Sequence, residues 1–77
     1  MTLRDLKVGQ RAIVRSLHAD RSMAQRLMEM GFVPGTEVRA VRLAPLGDPM
    51  ELRLRGYSLT LRRSEAATVQ IDHVQGT

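Results

Sequence analysis

The sequence predicts a mainly β fold: a small, partly open barrel of five short strands with one short α-helix. Three observations carry that expectation. Most of the chain falls into short segments that alternate apolar and polar residues, separated by turns rich in Gly and Pro. Only the stretch from Ser22 to Met30 holds the apolar spacing of a helix longer than one turn. The 77 residues, 43% of them hydrophobic, can build one core and no more. Closing the sheet on itself hides the edges that five strands would otherwise expose.

The elements follow in chain order. Leu3 and Leu6, three apart, predict a helical turn laid on the core with Thr2 as its cap, ended by Gly9. Residues 10–17 form the first strand, with Ile13 and Leu17 opposite Ala12 and Val14, so both faces are partly covered. In the helix, Met23, Leu27 and Met30 share one buried face. Ser22 and Gln25 have capping-box spacing, and Asp20 competes as the cap. Gly31 takes the left-handed position past the helix end, and Phe32 packs back toward Leu27. Val33-Pro34-Gly35-Thr36 fits a type II turn.

The second strand covers residues 37–44, and its apolar set changes phase between Val38/Ala40 and Val41/Leu43, as a bulge produces. Residues 44–49 form a compact, Pro-bounded loop. Met50, Leu52 and Leu54 then point inward, with Glu51, Arg53 and Arg55 outward. A type II′ turn at Gly56-Tyr57 would set Leu54 opposite Leu59, Leu52 opposite Leu61 and Glu51 opposite Arg62. Residues 64–67 read as one helical turn and 68–73 as the last strand, with Val69 and Ile71 inward. The single domain has its core over about residues 3–73, and 74–77 read as a tail, frayed from Gln75 onward. The pattern is that of an SH3-like barrel.

Composition narrows the function. There is no Cys, which excludes a disulfide framework, an iron–sulfur cluster and a zinc ribbon, and suits a reducing compartment. No apolar run approaches the length of a membrane span, and the N-terminus lacks a signal-peptide core. Without Cys, a Lys-bearing phosphate loop or a His-Glu-x-x-His pattern, no enzymatic activity and no cofactor are expected. The net charge of +4 lies entirely between Arg39 and Arg63, where six arginines face only Asp48 and Glu51.

The segment Arg26-Leu27-Met28-Glu29-Met30-Gly31-Phe32-Val33-Pro34-Gly35 and the loop Ala44-Pro45-Leu46-Gly47-Asp48-Pro49 resemble the R-L-x-x-x-G-hydrophobic-x-P-G and A-P-L-G-D-P signatures of ferrous iron transport protein A, FeoA. The opening Leu3-x-x-Leu6-x-x-Gly9 and the stretch from Leu59 to Ala66 are similar too, so the resemblance covers residues 3–72. It implies an SH3-like fold and a small cytoplasmic accessory of ferrous iron uptake. The implied partner is FeoB, the membrane ferrous iron permease with a cytosolic G-protein domain, which would recruit the protein to the inner face of the membrane. The SH3-like domain of iron-dependent repressors shares the fold, but these residues hold no helix-turn-helix.

Two surfaces are candidates for partner binding. Leu46 tips the Pro-bounded loop, with Pro45, Asp48 and Met50 beside it, and Phe32 and Val33 would form the other side of a groove. The competing arrangement folds Leu46 back to plug the barrel. Arg53, Arg55 and Arg62 form an outward basic face that suits an acidic partner, with an ordinary solvated strand face as the bland alternative. A basic nucleic-acid-binding or regulatory module is the runner-up reading, weakened because Phe32 and Tyr57 are the only aromatics. A small metal-binding protein ranks third: His18, Asp20, Asp72 and His73 are possible ligands, but none has a recognised spacing. Met23 and Met30 are read as core filler. The oligomeric expectation is a monomer or a weak dimer.

Overall fold

The computed structural model describes residues 1–76. A 3-10 turn, Leu3–Asp5, is followed by β1 (Arg11–Leu17), α1 (Arg21–Glu29), β2 (Glu37–Leu43), β3 (Met50–Leu54), β4 (Tyr57–Leu61), α2 (Arg63–Ala66) and β5 (Val69–Gln75). The strands make one antiparallel sheet in the order β4-β3-β2-β1-β5. All five supply core residues, among them Val14, Val38, Leu52, Leu61 and Val69. Leu3 and Leu6 bury completely beneath the first turn, where the backbone N–H of Thr2 donates to the Asp5 carboxylate at 3.0 Å. The expected phase change in β2 is a register shift between Ala40 and Arg42 against β3. It leaves Val41 and Leu43 exposed.

Helix α1 starts one residue earlier than expected. The Asp20 carboxylate accepts from the Met23 N–H at 2.8 Å and takes the cap, so the Ser22–Gln25 box does not form. An ionised acceptor at the positive end of a helix outcompetes a hydroxyl. The far end forms as the sequence predicts. Gly31 has φ +110, its N–H donates to Met28 O at 3.0 Å, and the Phe32 N–H donates to Leu27 O at 3.0 Å. That is a Schellman closure, and it drops Phe32 into the core beside Leu27. The turn Val33-Pro34-Gly35-Thr36 closes by Thr36 N–H to Val33 O at 3.1 Å. Strand β1 holds it through two bonds, Gly35 N–H to Val14 O and Val14 N–H to Thr36 O. Two contacts carried by side chains fix α1 on the barrel: Tyr57 Oη donates to the Met30 carbonyl, and Arg26 pairs with Glu65 of α2. The first satisfies a carbonyl that the helix end leaves without an internal partner.

The hairpin differs from expectation. Its turn is Arg55-Gly56, both with positive φ (52 and 83), a type I′ turn and not a II′ turn at Gly56-Tyr57. Leu54 therefore faces Tyr57, Leu52 faces Leu59, and Met50 faces Leu61. Glu51 faces Thr60, not Arg62. The slip is two residues, so every side chain keeps its expected face. Only a one-residue slip would turn the apolar set outward, and alternation cannot distinguish registers two apart. The last strand runs on to Gln75, whose amide oxygen accepts from Arg11 at 3.1 Å, so the expected tail is strand through that residue. Thr77, also assigned to the tail, lies outside the described residues.

Gly56 has open space where a Cβ would stand, so a substitution there meets backbone strain alone. Gly56→Val should destabilise the domain by about 2 kcal/mol, whereas Arg55→Asn, better suited to positive φ, should stabilise it by about 0.5 kcal/mol. Denaturant titration of both variants checks this; an unchanged midpoint for Gly56→Val contradicts the turn.

Candidate functional site

The loop between β2 and β3 is short and tied down. Ala44 N–H donates to Pro49 O at 3.1 Å, and Gly47 N–H to Ala44 O at 2.7 Å. The Asp48 carboxylate accepts from the Arg63 backbone N–H at 3.0 Å, which fastens the loop to α2. Gly47 has φ +83, and a Cβ there would come within 2.9 Å of the Arg63 guanidinium, so the loop sits directly on that side chain. This scaffold carries Leu46 at its tip, 94% exposed. Leu46 does not plug the barrel. Pro45 and Asp48 are exposed beside it, and Val33 is half-buried in the type II turn.

Two residues expected beside Leu46 are not surface residues. Phe32 is 0% exposed and Met50 1% exposed; both belong to the core. The reason is local. The Schellman turn directs Phe32 inward, and Met50 occupies the inward phase of β3 opposite Leu61. Leu43 and Val8, partly exposed, instead line a shallow groove with Arg63 next to the loop.

The basic face divides. Arg53 and Arg55 border an open groove of about 670 Å³ together with Arg39, Leu54, Thr36 and Gly56. Arg62 lies elsewhere, in a separate concavity with Asp48, Pro49, Thr60 and Glu65. Arg42 is drawn to Glu51, with nitrogen–oxygen distances of 2.9 and 3.1 Å, which replaces the expected Glu51–Arg62 pair. Sequence reading missed Arg39 as a member of the basic cluster. The signal that places it there is strand pairing: Arg39 of β2 stands directly opposite Arg53 of β3.

Three of the possible metal ligands have other contacts. His18 Nε2 lies 3.4 Å from Ser16 Oγ, and Asp20 caps α1. Asp72 faces Arg15 at 3.8 Å, and His73 is exposed with φ 56. Among the described residues no three His, Asp or Glu side chains gather closely enough to hold a metal ion. Among them, too, no helix is long and apolar enough to cross a membrane.

Comparison with known proteins gives a consistent answer. The FeoA domain family matches residues 1–73. A Porphyromonas gingivalis protein described as an Fe(2+) transport protein A/Fe(2+) transporter FeoB fusion is 35% identical over 72 residues, covering 94% of this chain and 8% of that one. The chain therefore spans under a tenth of that relative. The solution structure of Chlorobium tepidum FeoA is 44% identical with a TM-score of 0.86, covering 92% of this chain and 68% of the other. Stenotrophomonas maltophilia FeoA, crystallised in complex with zinc and described as a prokaryotic SH3 domain protein, is 41% identical with a TM-score of 0.82, covering 94% and 89%. The barrel is SH3-like.

The burial pattern separates surface from scaffold. Leu46→Ser should change stability by no more than about 0.5 kcal/mol, while Met50→Ala should cost about 2–5 and Phe32→Ala about 3–5 kcal/mol. Thermal or chemical unfolding of the three variants checks the division; a Leu46→Ser loss comparable to Met50→Ala would place Leu46 in the fold.

Proposed function

The chain belongs to the FeoA domain family, and we propose that it is a non-enzymatic accessory of ferrous iron uptake that docks on the cytosolic G-protein part of the permease FeoB. The fusion relative supports the partner: its name joins transport protein A and FeoB in one protein. The observation that carries the docking surface is Leu46. A large apolar side chain 94% exposed at the tip of a hydrogen-bonded loop contributes nothing to its own fold. Burying it against a partner is worth about 1.5–3 kcal/mol. The loop is already ordered, so little conformational freedom is lost on contact. In this reading the protein is cytoplasmic and reaches the inner face of the membrane through its partner.

The test is a titration of the protein against purified FeoB and against its isolated cytosolic domain, with Leu46→Asp and Leu46→Met as variants of equal melting temperature. Leu46→Asp should weaken binding at least tenfold and Leu46→Met little. Undiminished binding by Leu46→Asp removes the loop from the interface, and no binding by the unmodified protein to either form overturns the docking.

A further inference from the structure

Among the described residues, three arginines without a carboxylate partner meet at the end of β3 away from the Leu46 loop. Among the described residues, three arginines have carboxylate partners: Arg15 with Asp72, Arg26 with Glu65, and Arg42 with Glu51. Among the same residues Arg39 and Arg53, both exposed, have no ion-pair partner, and the side chain of Arg55 reaches the Thr36 hydroxyl at 3.5 Å. All three border the same groove. Arg39 and Arg53 also stand directly opposite one another on neighbouring strands. Like charges in that position repel and destabilise a sheet. Glu37 is the one carboxylate on the rim; it forms no ion pair, so the groove keeps an excess of two positive charges. The pairing of Arg39 with Arg53 gives the fold no ion pair, which makes an external anion the natural counterpart.

The shape of the groove selects the kind of anion. Gly35 and Gly56 on its rim have nothing within 4 Å of the place a Cβ would take, so a backbone can approach closely there. Arg39 stands about 5 Å across from Arg53, and Arg55, two residues past Arg53 at the first position of the type I′ turn, extends its guanidinium toward Thr36 on the same groove. An extended peptide presents side chains of one face at an interval of about 7 Å. Carboxylates at alternate positions would meet Arg53 and Arg55 in turn, and Arg39 would add a second guanidinium to the first of them. No aromatic side chain lines the groove, so it offers no platform for stacking bases. We propose that the Arg39–Arg53–Arg55 groove binds an extended acidic peptide segment with carboxylates at alternate positions. This surface is separate from the Leu46 loop, and its test does not involve the permease.

The probe is a fluorescein-labelled Ser/Glu alternating peptide, compared with its Ser/Gln counterpart by anisotropy on the full chain. The Glu peptide should bind at least tenfold more tightly than the Gln peptide. Arg39→Ser/Arg53→Ser should reduce that binding tenfold or more, and Arg62→Ser by less than twofold. A single-stranded oligonucleotide and phosphatidylserine vesicles should compete poorly at matched charge. Equal binding of the two peptides, an equal loss on Arg62→Ser, or stronger competition by oligonucleotide or vesicles overturns the proposal. Because the facing guanidiniums repel, Arg53→Ser alone should leave the melting temperature unchanged or raise it. A lowered melting temperature would show that the pair serves the fold and would also overturn it.

Discussion

Gly31 is the point on which helix, barrel and hairpin converge. Its φ of +110 reverses the chain after α1 and lets the following Phe32 enter the core. A Cβ there would lie 3.2 Å from Leu54 Cδ1 and 3.3 Å from Tyr57 Oη, so the hairpin packs directly on this backbone. The same packing brings the Tyr57 hydroxyl to the Met30 carbonyl. Val14 of β1 then bonds to Gly35 and Thr36 of the type II turn that follows, so the exit from the helix is fixed against the sheet before β2 begins. Almost any other residue at Gly31 would strain the backbone and press the helix away from the hairpin at once.

A second tie works through Glu65. One of its carboxylate oxygens accepts from the Arg62 N–H at 2.9 Å and caps α2; the other meets Arg26 of α1. The next backbone N–H, that of Arg63, goes to Asp48 of the β2–β3 loop. A helix of four residues thus connects the long helix, the last strand and the Leu46 loop. An exposed ion pair alone would contribute well under about 1 kcal/mol. The half-buried carboxylate of Glu65 does more because it answers a backbone donor and a guanidinium together. Asp5, Asp20, Asp48 and Glu65 are likewise committed to backbone N–H groups, and Glu51 of β3 goes to Arg42 of β2 and not to Arg39 or Arg53.

Most of the architecture was legible in the sequence because it depends on local rules. Strand alternation identified the inward residues of β3, and the Gly-Phe step after Leu27 announced the helix closure. The hairpin register was not legible, since apolar alternation has a period of two and a slip of two preserves it. Arg55 at positive φ is an uncommon choice for the first position of a type I′ turn, which is why Gly56-Tyr57 looked better. The site was legible in part. Leu46 was found because a Pro-bounded loop leaves little chain to cover its tip. Phe32 and Met50 carry two expectations, core residues by helix closure and strand alternation and neighbours of Leu46 by proximity in sequence, and only the first holds, because proximity says nothing of which side of the backbone faces the core. Arg39 was missed because its position follows from the β2–β3 register, a long-range fact with no local signature.

The two surfaces stand in different relations to the fold. Leu46 is held by backbone hydrogen bonds and a carboxylate clamp, so its exposure is a fixed property of the loop. The groove is held by the sheet itself, whose register brings Arg39 and Arg53 together against their mutual repulsion. They sit at opposite ends of β3, whose five residues separate them by about 13 Å along the strand. That strand is among the most buried of the sheet, with Met50, Leu52 and Leu54 all in the core. Neither surface needs the chain to rearrange. Each can be altered by a surface substitution without touching the core, so the two proposed surfaces can be tested separately.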